Sequence, residues 1–143
     1  MMKNKLLMIL LIILVSITLV GVVAVVIIDK YTGEESAEKA PSIEEIVEAS
    51  VEIPEVTTNL ASGDFIRMAF TIQTDSKKAK EELEQRNFQV NNIIITELSE
   101  MKEEELTGKK GKEQFQTSLK EKISHLMQEG KIEQVYITSS ILQ

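Results

Sequence analysis

The chain begins with one unbroken apolar run. Leu6 to Ile28 is 23 residues without a charged side chain, and only Ser16, Thr18 and Gly21 interrupt the Leu, Ile, Val, Met and Ala. At about 1.5 Å per residue a helix of that length is a rod of roughly 35 Å, enough to cross a hydrocarbon core about 30 Å thick. Eighteen of the positions are Leu, Ile or Val, each favouring insertion by roughly 0.3–0.6 kcal/mol near the bilayer centre. The pattern predicts a transmembrane helix over 6–28, after a short N-terminus at 1–5.

The pattern then changes. Residues 29–41 are polar and aperiodic, and read as a flexible tether. A domain over 42–143 follows. Ser42 with Glu45 three residues on forms a capping box, so a short helix starts there and ends near Ser50. Val51 to Leu60 is rich in β-branched residues, with Pro54 confining the strand to an edge or a bulge. Ser62-Gly63-Asp64 supplies a turn. Phe65 to Thr74 alternates, with Ile66, Met68, Phe70 and Ile72 on one face and Arg67, Thr71 and Gln73 on the other. That is a half-buried strand, and the two strands predict a hairpin.

Thr74-Asp75-Ser76 starts the next helix, expected to run continuously over 76–98. Ala79, Leu83, Val90, Ile94 and Leu98 form its core stripe, with Ile93 beside them. Phe88 and Ile95 fall on the opposite side. Either they meet a partner, or the acidic segment Glu100 to Leu106 covers them, or Ile93-Ile94-Ile95 is a strand; Asn91, Asn92 and Glu97 favour helix. Gly108 to Lys112 reads as a basic loop. Phe115, Leu119, Ile123, Leu126 and Met127 then mark an amphipathic helix stopping at Gly130. Ile132 to Leu142 is a strand with Val135, Ile137 and Ile141 on one face, and Gln134, Tyr136, Thr138, Ser140 and Leu142 on the other. The fold class is α+β: one transmembrane helix, then a small domain with an antiparallel sheet packed on helices.

The flanking charges orient the span. Lys3, Lys5 and the terminal amine precede it, and Asp29, Lys30, Glu34 and Glu35 follow it. The positive-inside rule puts 1–5 in the cytoplasm and the domain outside. Tyr31, next to Lys30, sits where an interfacial aromatic anchor is expected. A cleaved signal peptide, cut near Val22-Val23-Ala24, is the rival, but the run exceeds the usual 7–15 apolar residues. Without Cys no lipoprotein anchor is available.

Charge and chemistry narrow the function. Residues 31–143 hold 13 Lys+Arg and 22 Asp+Glu, a net charge of −9, so nucleic acid is not an expected partner. The lone His125 lies off the core stripe near Glu121 and reads as solvated. Gly108 and Gly111 lack the spacing of a phosphate loop. The Glu44-Glu45-Glu48 and Glu103-Glu104-Glu105 clusters lack the alternation of a calcium loop. No acid, base and nucleophile come together, so no enzyme, cofactor, metal or small-molecule substrate is expected.

Taken together, the Lys-flanked span, the extended VTTNL at Val56–Leu60, the Phe65–Thr74 strand, the Gly111-Lys112-Glu113 helix start and the closing VYITSSILQ at Val135–Gln143 resemble the FliL family of flagellar basal-body-associated proteins. Ile137 and Ser140 stand where the family's last strand is expected to be Phe-like. The resemblance implies a bacterial inner-membrane protein at the flagellar motor. It implies a stomatin-like domain, self-assembly into rings, contact with stator subunits and support of torque without catalysis. Phe88, Ile95, Tyr136 and Thr138 are the candidate interaction face. The alternative is an extracytoplasmic ligand-binding or sensor module, anchored or released by signal cleavage.

Overall fold

The computed structural model describes residues 2–32 and 39–143. The chain divides into two compact units, Met1–Pro41 and Ser42–Gln143. The first is a single helix, α1 (Met2–Thr32). It is about 46 Å long at the usual helical rise. It runs past Ile28 into the first residues of the expected tether; residues 33–38 of that tether lie outside the described residues, as does the side chain of Tyr31.

The second unit contains α2 (Ile43–Glu48), β1 (Ser50–Asn59), β2 (Phe65–Thr74), α3 (Lys77–Gln85), α4 (Asn87–Glu100), α5 (Glu103–Leu106), α6 (Gly108–Ser124) and β3 (Ile132–Leu142). The sheet is antiparallel in the order β1-β2-β3. The expected hairpin is present, turning at Gly63, whose φ of +94° suits glycine. β1 is an edge strand and its ladder shifts register between Ile53 and Val56, around Pro54. A bulge there tolerates a residue with no N–H to donate.

The capping box at α2 is formed: the Glu45 N–H donates to Ser42 Oγ at 3.2 Å and the Ser42 N–H donates to Glu45 Oε2 at 2.8 Å. Thr74, the one buried polar residue among the described residues, donates its hydroxyl to the carbonyls of Ala49 (2.6 Å) and Ser76 (2.9 Å). It ties the ends of α2, β2 and the α3 cap together. One hydrophobic cluster fills the unit. Ile66, Met68, Phe70 and Ile72 of β2 meet Leu83, Val90, Ile94 and Leu98 of α3 and α4, and Phe115, Leu119 and Ile123 of α6. The rings of Phe70 and Phe115 are 6.2 Å apart at 58°.

Four expectations need correction. The 76–98 helix is two helices, broken at Arg86 (φ −90°, ψ 10°). From Ala79 to Leu98 a straight helix drifts by about 100° in facing direction, at 3.6 residues per turn. The break resets that direction, so both Ala79 and Leu98 are fully buried. Residues 92–98 are helical.

The basic loop over Gly108–Lys112 is the first part of α6. Lys is a good helix former, and Gly111 is required by packing rather than by a loop. A Cβ at Gly111 would collide with the carbonyl of Glu105, because α6 starts hard against the backbone of α5.

Helix α6 ends at Ser124, well before Gly130. The chain turns over 125–130 because the Glu82 carboxylate takes the N–H groups of Gln128 and Glu129. Gly130 (φ +68°) instead fits the crowded space beside Asp75, Ser76 and Ala79.

Finally, β3 changes face along its length. Phe70 pairs with Ile137 and Ala69 with Ser139, so Thr138 is an extra residue. Val135 and Ile137 pair with inward Ile72 and Phe70, but Ile141 pairs with outward Arg67. The single extra residue inverts the alternation. Ile141 therefore does not share a face with Val135 and Ile137.

Candidate functional site

Helix α1 has the length and composition to cross a membrane, from Met2 to Ile28. Its apolar side chains from Leu6 to Ile28 are exposed within their own unit. In water that surface would be strongly unfavourable; in hydrocarbon it costs nothing. The hydroxyls inside the run stay satisfied by their own helix. Ser16 Oγ donates to the Ile13 carbonyl at 2.8 Å, and Thr18 Oγ1 donates to the Leu14 carbonyl. Lys3, Lys5 and Lys30 are polar groups at the two ends of this helix.

The structure splits the four candidate interaction residues between two surfaces. Phe88 (72% exposed) and Ile95 (42% exposed) project from α4. The opposite stripe of α4, Val90, Ile94 and Leu98, is buried in the core. The helix wheel placed both residues correctly, and the α5 segment does not cover them. Tyr136 lies on the sheet face turned away from the core, paired with Thr71, and its hydroxyl donates to Gln73 Oε1 at 3.1 Å. Thr138 is exposed at the bulge. Helices α3, α4 and α6 pack their buried stripes on the inner face of the sheet, whereas Tyr136 projects from its outer face. Phe88 and Ile95 thus belong to a helix surface, and Tyr136 and Thr138 to a strand surface.

The outer sheet face carries more apolar surface than the sequence pattern indicated. Phe65 and Ile141 are exposed there, beside the Arg67–Glu55 ion pair at 2.8 Å. Toward α2 the surface dips into an open groove of about 990 Å³, lined by Ile43, Ile46 and Val47 with Glu52, Thr71 and Tyr136. Ile43 and Val47 were not singled out from the sequence. Their i, i+4 spacing beside an acidic run is the signal that marks them.

Fixed charges elsewhere hold the fold together. Glu97 of α4 receives Lys122 and Ser118 of α6. Glu82 receives Arg86 Nε at 2.7 Å as well as the two backbone N–H groups. The Glu129 and Gln128 amides and the Arg86 charge outweigh burial and hold the Glu82 carboxyl below its usual range. His125 is exposed at the C-terminus of α6. Among the described residues no group of three His, Cys, Asp or Glu could hold a metal ion.

The profile of the family "Flagellar basal body-associated protein FliL" matches residues 50–143, from the first strand of the sheet to the last. The chain belongs to the FliL family. It is also similar to the "Flagellar protein FliL" of Bacillus subtilis (strain 168). The two are 50% identical over 109 residues, which cover 76% of this chain and 78% of the relative. The matched region begins where β1 begins, so it contains the whole sheet and the core helices, while α2 with Ile43, Ile46 and Val47 precedes it.

Proposed function

We propose that this FliL-family chain is a non-catalytic, membrane-anchored scaffold of the bacterial flagellar basal body. The observation that carries the reading is the family match over the whole sheet domain together with an apolar α1. Helix α1 spans the inner membrane with Lys3 and Lys5 in the cytoplasm, the residues from the end of α1 to Pro41 serve as the tether, and the domain at 42–143 lies outside. Lys30 and Tyr31 mark the outer interface. The domain acts in the manner of stomatin-like domains: copies associate into a ring and hold stator subunits in their active arrangement, supporting torque. Binding energy alone can do this, because contacts that differ between two stator states shift their populations.

The test is co-purification of stator subunits with the full chain after mild detergent extraction, alongside swimming assays of a deletion strain. Capture of stator subunits with loss of motility is the expected result. Normal swimming without the chain, and no capture, would remove the scaffold reading. The mass of the mature protein separates an anchored chain from one released by signal cleavage.

A further inference from the structure

Strand β3 is the last strand of the sheet, and among the described residues its outer edge has no strand partner. An edge strand presents alternate N–H and C=O groups outward, which is a template for another extended chain. Proteins usually protect such edges with charge, proline or a covering element. β1, the opposite edge, has those protections: Pro54, a bulge, and Glu52 and Glu55. β3 has few. From Gln134 to Gln143 no side chain is charged and none is proline.

A groove runs between this edge and α6. One part, of about 290 Å³, is lined by Lys112, Gln116 and β3 residues Ile137 to Ser140. A second part, of about 380 Å³, is lined by Glu113, Gln116, Thr117, Lys120 and Gln134. Gln116 lies between them, and its Nε2 donates to the Val135 carbonyl at 2.9 Å. That bond occupies the edge at Val135 and leaves the edge from Ile137 onward open beside Lys112.

The groove charges are unevenly balanced. Glu113 is paired with Lys109 at 3.6 Å. Lys112 and Lys120 make no ion pair among the described residues. The groove is therefore locally positive on a chain whose net charge is −7.

We infer that the β3–α6 groove binds an extended acidic segment of a partner protein, which adds to β3 along Ile137–Ile141 as a fourth strand. Backbone pairing supplies the affinity, and Lys112 selects a carboxylate side chain on the incoming strand. Lys120 extends the same preference beyond Gln116. The bulge at Thr138 limits the paired stretch to a few residues, so binding is of the transient kind.

The test uses the full chain in detergent micelles and a fluorescein-labelled hexapeptide of alternating Val and Glu, with a Val–Lys hexapeptide as comparison. Fluorescence anisotropy is expected to show binding of the Glu peptide and not of the Lys peptide. Lys112→Glu is expected to weaken it about tenfold, the size of one lost charge-assisted hydrogen bond. Lys112 is exposed, so the variant keeps its fold, and Lys112→Ala provides a second, milder step in the same direction. Hydrogen exchange should slow at residues 137–141 when the Glu peptide is bound. Equal binding of both peptides, no effect of either Lys112 variant, or protection confined to another part of the domain would each overturn the proposal. So would absence of binding together with slowed exchange at 137–141 that grows with protein concentration, since the edge would then pair with a second copy.

Discussion

The backbone N–H of Glu129 donates to Oε2 of Glu82 across 2.6 Å, joining residues 47 apart in sequence. Glu82 is thus the fixed point that turns the chain out of α6 and toward β3. Because its folded pKa lies below the ordinary 4.5, its contribution is present above that value and fades as pH falls through the lower, folded value. The melting temperature of Glu82→Gln should fall below wild type at pH 7. The gap should close progressively below about pH 4.5. Thermal melts followed by circular dichroism at several pH values check this; a gap independent of pH would assign the effect to packing.

Gly111→Ala sets two effects against each other. In an open helix the change stabilises by up to about 1 kcal/mol. Here the added methyl group meets the backbone carbonyl of Glu105, which cannot swing aside as a side chain would. Overpacking of this kind costs about 1–3 kcal/mol, so the net effect should be destabilising. Urea unfolding measures it, and a more stable variant would show that α5 and α6 are not so closely apposed.

The Phe70–Phe115 pair joins the sheet to α6 and is almost fully buried. Either residue changed to Ala should cost about 3–5 kcal/mol. The double variant should cost less than the sum, by about 0.5–1.5 kcal/mol, since the ring contact is lost only once. A double-mutant cycle in urea provides the number, and strict additivity would mean that the rings do not couple.

What the sequence made legible was whatever repeats locally. Ile66, Met68, Phe70 and Ile72 alternate with period two, and the inward face of β2 follows directly. Ser42 and Glu45 are three apart, and their cap forms. Phe88 and Ile95 fell off the core stripe by angle alone, and they are exposed. The misreadings share a different cause. Gly111 and Gly130 are glycines because of distant atoms, Glu105 in one case and Asp75 and Ala79 in the other. No spacing within either segment reports that. Thr138 is bulged by its pairing with β2, and an ordinary Thr-Ser-Ser stretch carries no mark of it. The break at Arg86 was readable in principle from the angular drift of its stripe.

Leu14 lies in the middle of α1. Leu14→Arg puts a charge at the centre of the proposed span, at about 2.5–3.5 kcal/mol on insertion scales. The expected outcome is loss of the chain from the membrane fraction with loss of motility, read by fractionation and swimming assays. Unchanged membrane levels and swimming would argue against anchoring by α1.

Phe88 is 72% exposed on a helix whose other side is sealed into the core. Ile95, two turns along, extends the same apolar strip. Water does not favour such a strip, and a contact between copies would remove it. Phe88→Asp should therefore leave the domain folded while weakening self-association of the full chain. The surface position limits the stability change to about 0.5 kcal/mol, so folding and association can be separated. Sedimentation in detergent reads the association and circular dichroism the fold. Unfolding would mean that Phe88 supports the core after all. Unchanged association would move the contact off α4, leaving the outer sheet face around Tyr136 and Ile141 as the remaining apolar surface for it.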